Sequence, residues 1–157
     1  MKKQSFRHGS KQAFQLSSRQ AGFTLIELLV VIAIIGLLST VAVVALNSAR
    51  LKARDAKRIA DIKQVQTALE LYYNDANGYP LTVAQGGKID NAGVTYMAVV
   101  PSNPLPANDG TCPAGCVYTY AVVGPSPYTS YTLRYCLGGA TGGLGAGPHT
   151  ANPSGAQ

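Results

Sequence analysis

Between Leu28 and Leu46 the sequence reads LLVVIAIIGLLSTVAVVAL, 19 residues without a charge or a proline. As a helix this run is about 28 Å long at 1.5 Å per residue, just enough to cross the hydrocarbon core of a bilayer. A soluble fold would have to enclose such a helix on every side, and a chain of 157 residues has too little left over to do so. The segment therefore reads as a single membrane span. A secretory signal would carry a shorter apolar core followed at once by small residues and a cut. Here the run flows directly into an amphipathic pattern, so it is expected to stay in the protein.

The remainder divides sharply. All nine prolines lie at or after Pro80 and 14 of the 17 glycines at or after Gly78, so a breaker-poor front precedes a breaker-rich back. With 46% hydrophobic and 13% charged residues, the chain is too apolar for a disordered protein. The net charge of +6 resembles a nucleic-acid footprint until it is located. Lys2, Lys3, Arg7, Lys11 and Arg19 stand before residue 23 with no acid among them, leaving eight basic against seven acidic residues afterwards, a net +1. No specific nucleic-acid partner is expected from that remainder.

The Lys/Arg rule does not orient the span, because the five basic residues before it face six just after it, Arg50, Lys52, Arg54, Lys57, Arg58 and Lys63. The cysteines decide instead. Used as a disulfide they place the C-terminal part in an oxidising compartment and the leader in the cytoplasm.

Gly22, Phe23, Thr24, Leu25, Ile26 and Glu27 form the string GFTLIE, followed by LLVVIAIIGLLS. Together with the basic leader, this resembles the type III signal of type IV pilins and type II secretion pseudopilins. The resemblance implies that residues 1–22 are a leader removed by a prepilin peptidase, which cuts between Gly22 and Phe23, and that the new Phe23 amine is N-methylated. It further implies that Glu27, fifth after the cut, meets the N-terminal amine of a neighbouring subunit during assembly. Glycine suits the position before the cut because it leaves the bond unhindered. A carboxylate carried to the bilayer centre unpaired costs about 2.5 to 3.5 kcal/mol, so Glu27 needs either a partner or a place at headgroup level. Many family members carry a proline in the second half of the membrane helix, whereas Ser39 to Leu46 has none.

Beyond Asn47, Ile59, Ile62, Val65, Leu69, Tyr72 and Ala76 recur every three or four residues, which predicts one helix from Phe23 to about Asn74. Lys57 with Asp61 and Arg58 with Asp61 fall at helical spacing, pairs worth about 0.2 to 0.5 kcal/mol each. Asn77, Gly78 and Pro80 supply the stop. The segment ALELYYNDANGYP again resembles pilins and pseudopilins, where the helix ends in a tyrosine-proline turn. The expected fold is α+β: residues 23–50 as membrane and filament-core helix, 51–76 as its amphipathic half, and 77–157 as a small antiparallel head.

Within the head, one short strand is expected near Val94 to Val100, then a hairpin of Cys116 to Val123 with Thr129 to Leu137. A turn centred on Ser126 sets Tyr120 opposite Thr132, Val122 opposite Ser130 and Cys116 opposite Cys136. Three single bridges are possible; this register favours Cys116 with Cys136, and Cys112 with Cys116 is a short-loop rival. Zinc would need Cys136 and His149, on separate elements, to complete the set begun by Cys112 and Cys116. Calcium sites occur in the heads of some major pseudopilins, but Asp90 and Asp109 alone are too sparse to carry that over. No metal and no cofactor are expected. From Gly138 onward the sequence reads as a low-complexity, Gly-rich tail.

His8 lies in the leader and His149 in the tail, while Asp55, Asp61, Glu70, Asp75, Asp90 and Asp109 look scattered and solvated, so no catalytic constellation emerges and the chain is not read as an enzyme. The expected role is that of a structural subunit of a type IV pilus or pseudopilus. Its partners would be copies of itself and other pilins, the prepilin peptidase, a membrane platform protein with its assembly ATPase, and the lipid bilayer. It would sit in the inner membrane as a single-pass protein before joining an extracellular or periplasmic filament. The alternative is a monomeric, membrane-anchored binding module with a tyrosine-rich extracytoplasmic head.

Overall fold

The computed structural model describes residues 22–156, so the leader, apart from Gly22, lies outside the described residues. These residues fall into two compact units that meet at Thr40 and Val41. The fold is α+β, with a long N-terminal helix α1 (Leu25–Ala76) followed by six short strands.

In the first unit the chain is helical from Leu25, and every described residue to Thr40 is exposed. No proline interrupts α1. The hydroxyls of Ser39 and Thr40 donate back to the carbonyls of Ile35 and Leu37, both at 2.7 Å, which satisfies two polar groups inside an otherwise apolar run. Among the described residues, α1 alone is long and apolar enough to cross a membrane.

In the second unit α1 ends as the sequence indicates, with Asn77 in the left-handed region (φ 52°). Its N–H donates to the Tyr73 carbonyl at 2.8 Å. Strands β1 (Ile89–Asn91) and β2 (Val94–Met97) pair antiparallel across Ala92 and Gly93, both with positive φ as a tight two-residue hairpin loop demands. The single strand expected near Val94 to Val100 is thus a hairpin that ends at Met97. Strands β3 (Thr119–Val123), β4 (Ser130–Leu137), β5 (Gly147–Asn152) and β6 (Gly155–Ala156) form an antiparallel sheet in sequence order.

Ile62, Val65, Ala68 and Leu69 of α1 meet Tyr131, Leu133, Tyr135 and Leu137 of β4 in the core, joined by Tyr79, Ile89, Val100, Tyr118 and Ala151. Period two on the strand and three to four on the helix bring these rows together. Tyrosines fill much of the space: Tyr79 packs edge-on against Tyr131 with ring centroids 4.7 Å apart, and Tyr120 stacks on Tyr131 at 5.8 Å.

The hairpin is real but its register differs from the expected one by one residue. Tyr120 faces Leu133 and Val122 faces Tyr131. The loop between β3 and β4 holds six residues, 124–129, so its centre falls between Ser126 and Pro127 instead of on Ser126. The bridge changes with it. Cys116 does not face Cys136; it lies before β3 in a turn closed by its N–H to the Pro113 carbonyl at 3.3 Å. The disulfide joins Cys112 to Cys136, with Cα atoms 5.7 Å apart, and Cys116 is the free thiol. The tail differs too: β5 completes the ladder on β4, pairing Leu133 with Ala151 and Leu137 with Gly147.

Candidate functional site

Gly22, Phe23 and Thr24 precede the helix, so the bond between Gly22 and Phe23 lies outside its hydrogen-bonded ladder. Among the described residues, nothing stands within 4 Å of where a Gly22 Cβ would be, and Phe23 is 84% exposed. The helix that follows starts on a capping box. Glu27 Oε2 accepts the Thr24 N–H at 2.8 Å and the Thr24 hydroxyl at 2.7 Å, while the Glu27 N–H donates back to Thr24 Oγ1 at 3.3 Å. A negative charge here also meets the positive end of the helix dipole. Sequence reasoning found Glu27 but not its tie to Thr24, although threonine three residues before glutamate, ahead of an apolar run, is the signal for it.

A second polar constellation lies where α1 meets the loops of the head. Asp55 and Arg58 are fully buried and paired, with Arg58 Nη1 2.7 Å from Asp55 Oδ1. The same carboxylate accepts the N–H groups of Gly138 at 2.9 Å and Gly139 at 2.8 Å, just past the end of β4. The remaining donors of Arg58 reach Asn103 Oδ1 at 2.8 Å and the Pro106 carbonyl at 3.2 Å, and its Nη2 makes an off-axis ion-pair contact with Asp109 Oδ1 at 2.8 Å. Arg54 pairs with the other oxygen of Asp109. Burial pushes the Asp109 carboxyl up, and the guanidinium groups of Arg54 and Arg58 outweigh it, holding the carboxyl below its ordinary range. Gly138 has to be glycine: a Cβ there would lie 2.5 Å from Leu51 Cδ1 and 2.8 Å from the Asp109 carbonyl oxygen.

This corrects the solvated reading of Asp55, Asp61 and Asp109. Arg58 does not pair with Asp61 but with Asp55 and Asp109, and Asp61 is buried, accepting the Tyr118 hydroxyl at 3.1 Å. Burial raises the Asp61 carboxyl, with the Tyr118 hydrogen bond and the Lys57 charge opposing. Asp90, by contrast, forms an ordinary exposed-side ion pair with Lys88. The Asp55 carboxylate is held by donors of the same fold, and Asp109 is held by Arg54 with an ion-pair contact from Arg58, so the cluster locks helix to loops.

The three cysteine sulfurs, two bonded and one free, lie within 4.8 Å of one another. Cys112 and Cys136 are buried, whereas Cys116 lines an open cavity of about 310 Å³ with Pro113, Arg134 and His149 among its walls.

A family profile described as the prokaryotic N-terminal methylation motif matches residues 17–43. The type II secretion system core protein G of Pseudomonas aeruginosa is 32% identical over 126 residues, 73% of this chain and 83% of that protein. Its namesakes from Escherichia coli and Vibrio cholerae are 37% identical over 59% of each chain and 34% identical over 57% of this chain and 56% of theirs. Against several such relatives the chain spans about half their length. No solved structure matches it significantly. A long helix carrying a methylation motif, set on a small antiparallel head, defines a pilin-like protein. The chain belongs to the type IV pilin and type II secretion pseudopilin family.

Proposed function

We propose that this chain is a structural subunit of a type II secretion pseudopilus or a closely related type IV filament. The precursor is held in the inner membrane by α1 with its leader in the cytoplasm. A prepilin peptidase cuts between Gly22 and Phe23, the Phe23 amine is methylated, and a membrane platform protein and assembly ATPase draw subunits into a helical filament whose core is built from residues 23–50.

The observation that carries this reading is that the methylation motif runs straight into a helix on which every residue from Leu25 to Arg50 is exposed. Leu25, Leu37, Leu38, Val41 and Val44 are each more than 60% exposed. A surface of that kind is stable only in lipid or against like helices, and a subunit that moves from membrane to filament uses both in turn.

Cleavage supplies a positive partner for Glu27. The new α-amine titrates at about pH 8, so it is largely cationic at neutral pH. A neighbour's amine about 4 Å from the Glu27 carboxylate gains roughly 4 kcal/mol at an effective dielectric of 20, before desolvation is subtracted. The net gain is small, so the pair acts chiefly to set the register between subunits. The capping box suits this role, because Thr24 holds the carboxylate toward the N-terminal end of the helix.

The test is whether the chain enters a filament. Material sheared from cells that express it with its secretion machinery should contain the chain as a repeating subunit. Its confinement to the membrane fraction as a monomer would favour a membrane-anchored binding module instead.

A further inference from the structure

Three sulfurs within 4.8 Å and one disulfide among them leave a choice of bonds that the fold does not close off. Cys136 is fixed in β4, where the ladder pairs it with Pro148 of β5. Cys112 and Cys116 stand at the two ends of one short turn, whose backbone passes through Gly115 at φ 76°. Cys136 is therefore the stationary pole. The sulfurs at both ends of the turn lie within 4.8 Å of the Cys136 sulfur.

We propose that Cys112, Cys116 and Cys136 form a thiol–disulfide exchange site, in which Cys136 carries the bridge alternately to Cys112 and to Cys116. The Cys116 thiolate attacks Sγ of Cys136; the Cys116–Cys136 bond forms as the Cys112–Cys136 bond breaks, and the electron pair leaves on the Cys112 sulfur, which takes a proton from solvent. One disulfide and one thiol exist before and after, so neither oxidant nor reductant is consumed.

Loop closure does not choose between the two bridges, since they span 24 and 20 residues and the entropy varies only with the logarithm of that length. Local contacts hold both ends of the turn. The Cys112 N–H donates to the Asp109 carbonyl at 3.1 Å, and the Cys116 carbonyl accepts from Asn103 Nδ2 at 2.5 Å, the same Asn103 whose Oδ1 accepts from Arg58. The turn is thus tied at both ends to the Arg58 cluster, which keeps both sulfurs close to Cys136. Burial pushes the Cys116 thiol up and the Arg58 charge opposes it, so the attacking thiolate is a minor species at neutral pH and exchange is slow. Cys116, at the wall of the open cavity, is the sulfur that external thiol reagents meet first in the major isomer.

The test uses the full chain in detergent micelles, purified without reductant and held at mildly alkaline pH, which raises the thiolate fraction above that at neutral pH. Light iodoacetamide labels free thiols; the chain is then denatured, reduced and labelled with heavy iodoacetamide, and tandem mass spectrometry locates each label. The expected result is light label mainly on Cys116, a reproducible minority on Cys112 that is unchanged on tenfold dilution, and none on Cys136. Light label confined to Cys116, however slowly the alkylation is run, would overturn the proposal. A second arm uses Cys112→Ser under oxidised glutathione. It should lose all light label through a Cys116–Cys136 bridge, and two alkylatable thiols in the folded variant would count equally against the exchange.

Discussion

The Glu27 carboxylate and Thr24 close a reciprocal ring at the start of α1, with Glu27 accepting both the N–H and the hydroxyl of Thr24. A residue proposed to pair with a neighbouring subunit is thus already held by its own helix, and the two roles can be separated by mutation. Thr24→Ala removes the hydroxyl, a loss of about 0.5 to 2 kcal/mol of helix capping, yet keeps the carboxylate. Glu27→Ala removes the charge and leaves a neighbour's amine unpaired. Both variants should be cleaved and inserted, and the yield of sheared filament should fall far more for Glu27→Ala. Equal yields would reduce Glu27 to a cap.

Gly22→Leu should leave the full-length precursor in the membrane, because a bulky side chain would stand beside the bond that the peptidase has to reach. Gel mobility reads the result directly. Processing of Gly22→Leu at the wild-type rate would move the cut elsewhere.

Removing one partner of a buried pair costs more than the pair contributes, since the other charge stays buried without compensation. Arg58→Ala should therefore destabilise the head by about 3 to 5 kcal/mol, leaving the Asp55 carboxylate with only the Gly138 and Gly139 N–H groups. Denaturant titration followed by far-UV circular dichroism measures it. A loss below about 1 kcal/mol would mean that the cluster does not hold helix to loops.

The long helix was legible because its signals are local: an uncharged run, a three-to-four stripe, and Asn77 with Pro80 as a stop. The hairpin was legible for the same reason, but its register was not, because Pro125 and Pro127 mark a loop without saying whether its centre falls on a residue or between two. The bridge was misplaced because β3 begins only at Thr119, which leaves Cys116 in the turn before the ladder and brings Cys112 to Cys136. The buried cluster was hidden more deeply. Asp55 and Arg58 look like a surface pair at i, i+3, and Asp109 joins them only after the chain has passed through β1 and β2. β5 was missed because Gly147, Pro148 and Pro153 signal a loop, and β4 alone makes that segment a strand.

Acid should act on the two buried aspartates with opposite signs. Asp61 is raised by burial, so its charged form costs stability at neutral pH, and that cost is relieved as pH falls through its folded value. Asp61→Asn, whose amide oxygen can still accept from Tyr118, should melt higher than wild type at pH 7 and lose that advantage below about pH 4. Asp109 is lowered, so its stabilisation is present above the unfolded carboxyl range and vanishes only as pH falls through its depressed folded value. Asp109→Asn should melt lower at pH 7, with the deficit persisting to more acidic pH than the Asp61→Asn advantage. Parallel pH profiles for the two variants would contradict these assignments.

The most direct measurement is the mass of the N-terminal peptide of the chain recovered from membranes and filaments of cells that contain a prepilin peptidase. A peptide that begins at Phe23 and carries one additional methyl group on its amine is the predicted result. A chain that retains residues 1–22, or begins at Phe23 without the methyl group in assembled filaments, would contradict the account.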